Sequence, residues 1–178
     1  NLDRDYRLWL QEKEQQQTNT VQDKAMIYSR MPVRDMMKKG WLSKTRNLDE
    51  LIEEVKQYWE ISRLDFQFLD DSFSLYCKKS EAYNQYKASY TVTWFQMAKK
   101  VSRNYHVASY DSSSLEALFQ RISTFTRKEN GIAEFLQALN ACGVKFFVLP
   151  HLEKTYLDGA AFFHDAKPVV VCTLRYAR

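Results

Sequence analysis

Hydrophobic positions recur every three or four residues over most of this chain, and only after Gly143 does the period fall to two, so the pattern predicts a helical body followed by a small sheet. Residues 2–30 contain neither Gly nor Pro and space Leu2, Tyr6, Trp9 and Leu10 as a helix does, turning polar from Gln15 to Thr20. In "MPVRDMMKKGWL", Pro32 suits a first turn and Gly40 a C-cap, which predicts a short helix with Val33, Met36 and Met37 facing inward and Trp41 anchoring the next turn. Asn47 with Glu50 reads as an N-cap with its capping-box acid, opening a helix whose apolar face is Leu48, Leu51, Ile52, Val55, Tyr58 and Trp59.

Residues 64–80, "LDFQFLDDSFSLYCKKS", alternate but lie between strong helical patterns, and a further helix plus a loop is expected there. Tyr83, Tyr86, Tyr90, Trp94, Met97, Ala98 and Val101 then mark one long amphipathic helix from Ser80 to about Tyr105. Ser113 and Glu116 form a second S-x-x-E box before Leu115, Leu118, Phe119, Ile122 and Phe125, and "IAEFLQALNAC" gives a last helix closed by Gly143. "VKFFVLP" is a strand stopped by Pro150, while "DGAAFFH" and "PVVVCTLR" around "DAK" form a hairpin. The predicted class is α+β, mostly helical, with about six helices followed by a small three-stranded sheet. Three segments are expected: a linker helix over 1–30, a helical domain over 31–126, and an α+β domain over 127–178.

Composition supports a folded chain: of 178 residues, 45% are hydrophobic and 15% aromatic, with only four Gly and three Pro. The formal charge of +4 is not gathered anywhere: basic and acidic side chains number 11 and 11 over residues 1–60, 7 and 4 over 61–110, and 8 and 7 over 111–178. Lys99, Lys100 and Arg103 therefore read as a solvated helix face, with contact to nucleic acid as the functional alternative, in which the tyrosine and tryptophan stripe would stack bases instead of filling a core. Cys77, Cys142 and Cys172 are odd in number and widely spaced, which fits neither a disulfide framework nor a zinc knuckle and points to a reducing cytoplasm. No apolar run approaches a membrane span.

His106, His151 and His164 are scattered over a helix end, a loop and a hairpin turn, and no H-x-x-x-H pair joins them. Cys142 and Cys172 fall in elements expected to be buried, the four glycines make no phosphate loop, and Asp70 and Asp71 diverge if helical. Local chemistry thus names no catalytic residue, no metal ligand and no cofactor.

Four stretches nevertheless carry a resemblance. Gly143-Val144 leading into an apolar strand, Leu149-Pro150-His151-Leu152, Asp158 to Phe162, and Thr173 to Tyr176 resemble, in order and spacing, the segment of the ImmA/IrrE family of zinc metallopeptidase-like proteins that precedes the H-E-x-x-H helix. "MPVRDMMKKGWL" at 31–42 and "LDRDYRLWL" at 2–10 are similar to the elements that follow the helix-turn-helix in the long, HigA-like subgroup. The sequence holds neither a helix-turn-helix nor H-E-x-x-H, and it opens on Asn and closes on Arg178, so the chain is expected to be either a truncated portion of such a protein or a natural variant that has lost its catalytic half.

The resemblance implies a partial zincin-like fold and a non-catalytic regulatory or protein-interaction role in a transcriptional regulator or antitoxin. The alternative it implies is the inactive N-terminal portion of a zinc endopeptidase, with zinc held only by the full-length parent. A cognate toxin or a second copy would be the protein partner, and DNA would be reached only through the absent helix-turn-helix. The sheet that would carry the zinc helix is expected to expose apolar surface at Val169, Val171 or their neighbours, with Asp158, Phe162, Phe163, His164 and Thr173 completing the contact surface.

Overall fold

The computed structural model describes residues 2–67, 85–153, 155 and 157–173. Its helices are α1 (Leu2–Arg30), α2 (Val33–Lys38), α3 (Leu48–Trp59), α4 (Gln85–Arg103), α5 (Ser112–Gln120), α6 (Ile122–Phe125) and α7 (Gly131–Ala141). The strands β1 (Lys145–Leu149), β2 (Gly159–His164) and β3 (Lys167–Thr173) follow. The fold is α+β and mostly helical, as the change of period predicts. The helix and loop expected at 64–80 lie largely outside the described residues, and Asp70, Asp71, Cys77 and Tyr83 lie wholly outside them. No described helix is long and apolar enough to cross a membrane.

Two compact units divide the chain, one of residues 1–93 with 152–155, the other of 94–151 with 156–178. In the first, α1 is exposed over most of its length and enters the core only in its last turns, where Ile27 is fully buried. Leu51, Val55, Tyr58 and Trp59 of α3 are buried, as their spacing predicts. Their polar ends are satisfied inside that core: Trp59 Nε1 donates to Met31 Sδ at 3.1 Å and Tyr58 OH to Thr93 O at 2.7 Å. Gly40, at φ 72°, closes α2, and Trp41 N–H reaches back to Met36 O at 2.9 Å. Asn47 caps α3 by accepting from Asp49 N–H at 2.9 Å. The expected reciprocal box is not closed, because the Glu50 carboxylate accepts from the Thr45 hydroxyl instead.

The second unit corrects two helix boundaries. Asp111, not Ser113, caps α5, accepting from Ser113 N–H at 3.0 Å and from the Ser114 hydroxyl at 2.5 Å. The single helix expected from Leu115 through Phe125 breaks at Arg121. There the Thr124 amide and hydroxyl both bond to Arg121 O, at 2.9 and 2.7 Å, which tightens the chain into a separate turn. Gly143 closes α7 at φ 81°, and Val144 N–H returns to Leu139 O at 3.1 Å.

The sheet has the order β1-β3-β2. β1 runs parallel to β3, with Lys145 opposite Val169, and β2 runs antiparallel to it, with Phe162 opposite Val169. The hairpin turns through Asp165 and Ala166, both left-handed at φ 51° and 57°. A cluster of Leu118, Leu139, Cys142 and Val144 packs α5 and α7 against Val170.

Two substitutions test the backbone positions that this unit requires. A Cβ at Gly143 would lie 2.4 Å from Tyr110 Cα, on a residue already in the left-handed region, so Gly143→Ala is expected to cost about 3 kcal/mol in urea unfolding. Ala166→Gly relieves a left-handed residue carrying a Cβ, and is expected to gain about 1 kcal/mol by the same measurement. A separate prediction concerns acid. Hydrogen bonds from Ser114 and Ser113 hold the Asp111 carboxyl below the usual carboxylate range. The stabilisation is therefore present above the unfolded pKa, about 4, and is lost as pH falls through the lower folded value. Urea midpoints measured from neutral pH into acid should fall less steeply for Asp111→Ala than for the parent in that window.

Candidate interaction surface

Alternation along the three strands sorts their side chains onto two faces, and the paired register fixes which residues share a face. One face carries Lys145, Phe147 and Leu149 of β1, Val169, Val171 and Thr173 of β3, and Ala160, Phe162 and His164 of β2. It packs against the second half of α4. Phe162 meets Phe95 with ring centroids 4.6 Å apart, and His164 Nδ1 lies 2.5 Å from Ser102 Oγ. Lys145 Nζ donates to Ser102 O at 2.6 Å, and Tyr105 stacks obliquely near Phe147 at 5.5 Å.

The other face carries Phe146, Val148, Val170, Cys172, Ala161 and Phe163. The α5–α7 cluster covers Val170, but Val148 is 43% exposed, Phe163 is 69% exposed and Ala161 is exposed. These residues mark an open apolar strip on β1 and β2, interrupted on β3 by the covered Val170 and the half-buried Cys172. The Phe163 ring lies edge-on to Tyr110 at 6.2 Å.

The residues singled out from the sequence therefore separate. Val169 and Val171 are corrected: they are 0% and 1% exposed, because their alternation phase turns them toward α4. Phe162 and His164 are half-buried on that same inner face, and Thr173 is half-buried with its hydroxyl donating to Leu157 O at 2.7 Å. Asp158 is exposed, with its carbonyl accepting from Thr173 N–H at 2.9 Å. Phe163 belongs to the open strip, as does Ala161 within the expected stretch from Asp158 to Thr173, while Val148 on β1 lies outside that stretch. The available signal was the phase of "KFFVL", which sets Val148 opposite in direction to the buried Phe147 and Leu149.

Lys99, Lys100 and Arg103 occupy the last turns of α4, where cations complement the helix dipole. Lys99 Nζ lies 5.2 Å from the Phe95 ring centre. His106 is exposed and His151 half-buried. Among the described residues, no three His, Cys, Asp or Glu side chains gather closely enough to hold a metal ion. Compared with known proteins, the chain matches no family model, no curated protein and no solved structure.

The face assignment is tested by stability. Val171→Ala, which empties a fully buried site, is expected to cost about 2 kcal/mol. Phe163→Ser on the open strip should stay within about 0.5 kcal/mol of the parent. Equal losses in thermal unfolding would reverse the two faces.

Proposed function

We propose that this chain is a non-catalytic, protein-binding portion of a HigA-like transcriptional regulator or antitoxin of the ImmA/IrrE kind, working in the cytoplasm. The observation that supports this reading is the open strip of Val148, Ala161 and Phe163 on a sheet whose opposite face buries Phe147, Leu149, Val169 and Val171. Exposed apolar side chains on one face of a sheet suit a protein contact surface. Phe163 supplies the kind of aromatic anchor on which binding energy concentrates. The resemblance assigns the partner: a cognate toxin, with DNA bound by the regulator's own helix-turn-helix and not by α4.

The same strip also suits a second reading, in which it seats the H-E-x-x-H helix of a zinc endopeptidase encoded further along the same reading frame. Zinc content and peptide cleavage of the full-length product decide for that reading.

The first reading is tested by co-expressing the chain with the protein encoded beside it and measuring affinity calorimetrically. Phe163→Asp is expected to weaken the complex at least tenfold, by about 1.4 kcal/mol or more, whereas Phe119→Asp on α5 should leave it unchanged. No complex, or one indifferent to Phe163, overturns the proposal.

A further inference from the structure

Beside α2 lies a cavity of about 310 Å³ that belongs wholly to the first unit. Its size is at the lower end of the range of small-molecule sites. Met31, Pro32 and Val33, all buried, supply its apolar part, and Tyr28 and Tyr90 add two phenol rings. Three charged residues complete it: Arg34, Asp35 and Glu153.

A buried carboxylate organises this lining. Asp35 is 6% exposed; one oxygen is paired with Lys39 on the next turn, and the other accepts from Glu153 N–H at 2.9 Å. The Arg34 backbone, one residue before Asp35, and the Glu153 backbone are thus tied to a single anchored group. Lys39 cancels the charge of Asp35, so the cavity is left with one free cation and one free anion. The Arg34 guanidinium and the Glu153 carboxylate have no hydrogen-bonding or ion-pair partner among the described residues, and both are exposed. The Tyr28 hydroxyl has none either.

A neutral site with its two charges separated excludes several ligands. A lone carboxylate cannot complete a metal coordination sphere. One guanidinium beside an unpaired carboxylate is poor company for a phosphate, which needs an excess of positive charge or of backbone N–H donors. A molecule carrying one carboxylate and one ammonium matches both groups, and an apolar side chain matches the methionine, proline, valine and tyrosine surface.

We propose that this cavity binds a free α-amino acid with a large apolar side chain. Arg34 receives the carboxylate in bidentate fashion, Glu153 receives the ammonium, and Tyr28 and Tyr90 flank the side chain. This site is independent of the strip on the sheet and does not rest on the reading given for it.

The test uses the whole chain, with L-phenylalanine and L-leucine as probes, observed by saturation-transfer NMR and titrated calorimetrically. Phenylalanine amide lacks the carboxylate and N-acetylphenylalanine lacks the ammonium, and each should bind about tenfold more weakly than the free amino acid. Arg34→Gln should abolish the preference over the amide, and Glu153→Gln the preference over the N-acetyl form. Those crossed losses are ones that a merely structural change would not produce. Both residues are exposed, so the variants are expected to keep the parent's circular dichroism spectrum. The derivative comparison on the unaltered chain stands even where a variant misfolds. Absence of saturation transfer to either probe at millimolar concentration, or equal binding of the free, amide and N-acetyl forms, overturns the proposal.

Discussion

The second unit depends on how the C-terminal end of α4 is closed. Ser102, wholly buried, presents its carbonyl to Lys145 Nζ at 2.6 Å and to Tyr105 N–H at 3.2 Å, and its hydroxyl meets His164 Nδ1. Lys167 Nζ adds a bond to Val107 O at 2.7 Å, just past the helix. Three strand residues therefore converge on one helix end, where the last carbonyls lack partners and carry the negative end of the dipole. Lys145 is only 4% exposed, and a polar group so deep needs its bond. The Ser102 hydroxyl also lies 2.7 Å from Lys99 O. If its single proton goes to that carbonyl, His164 must be the donor across the other contact. Each of these contacts comes from the same face of the sheet, so once they form, the face that meets α4 is decided.

From that decision the exposed chemistry follows. With Val169 and Val171 committed to α4, only the opposite side chains remain for any other contact. The cluster on α5 and α7 reaches Val170, which leaves Val148, Ala161 and Phe163 outside. Hence the strip is a consequence of polar closure on the other side of the sheet. The same logic operates in the first unit, where Asp35 joins α2 to residues 152–155 by one hydrogen bond to a backbone amide. That one bond gives the otherwise surface-like Asp35 a structural role within the first unit.

Period and capping made most of the fold legible in the sequence. The apolar face of α3, the stripe through Trp94 and Ala98, and the closures at Gly40 and Gly143 follow from local rules, because burial and left-handed φ leave direct marks on residue type. Less legible were choices among equally good local options. Asp111 and Ser113 are both competent caps, and the former prevails because its carboxylate accepts from two residues at once. "PVVVC" is apolar on both faces, so alternation could not say which valines meet a helix. Lys145 and Asp35 look like ordinary surface charges in sequence. Only the long-range partners, Ser102 and Glu153, make them structural.

These buried polar ties also bear on where the chain can tolerate change. A buried hydrogen bond to a backbone group contributes little in net terms when made, yet leaving one partner unsatisfied costs its full desolvation. Shortening Lys145 would strip Ser102 O of its side-chain donor, and shortening Asp35 would leave both Lys39 and the Glu153 amide without their acceptor. By contrast Phe163, Arg34 and Glu153 have side chains that reach into solvent from a fixed backbone. The chain thus separates the groups that define its shape, which are buried and doubly engaged, from those available to meet another molecule, which are exposed and held in place by buried neighbours.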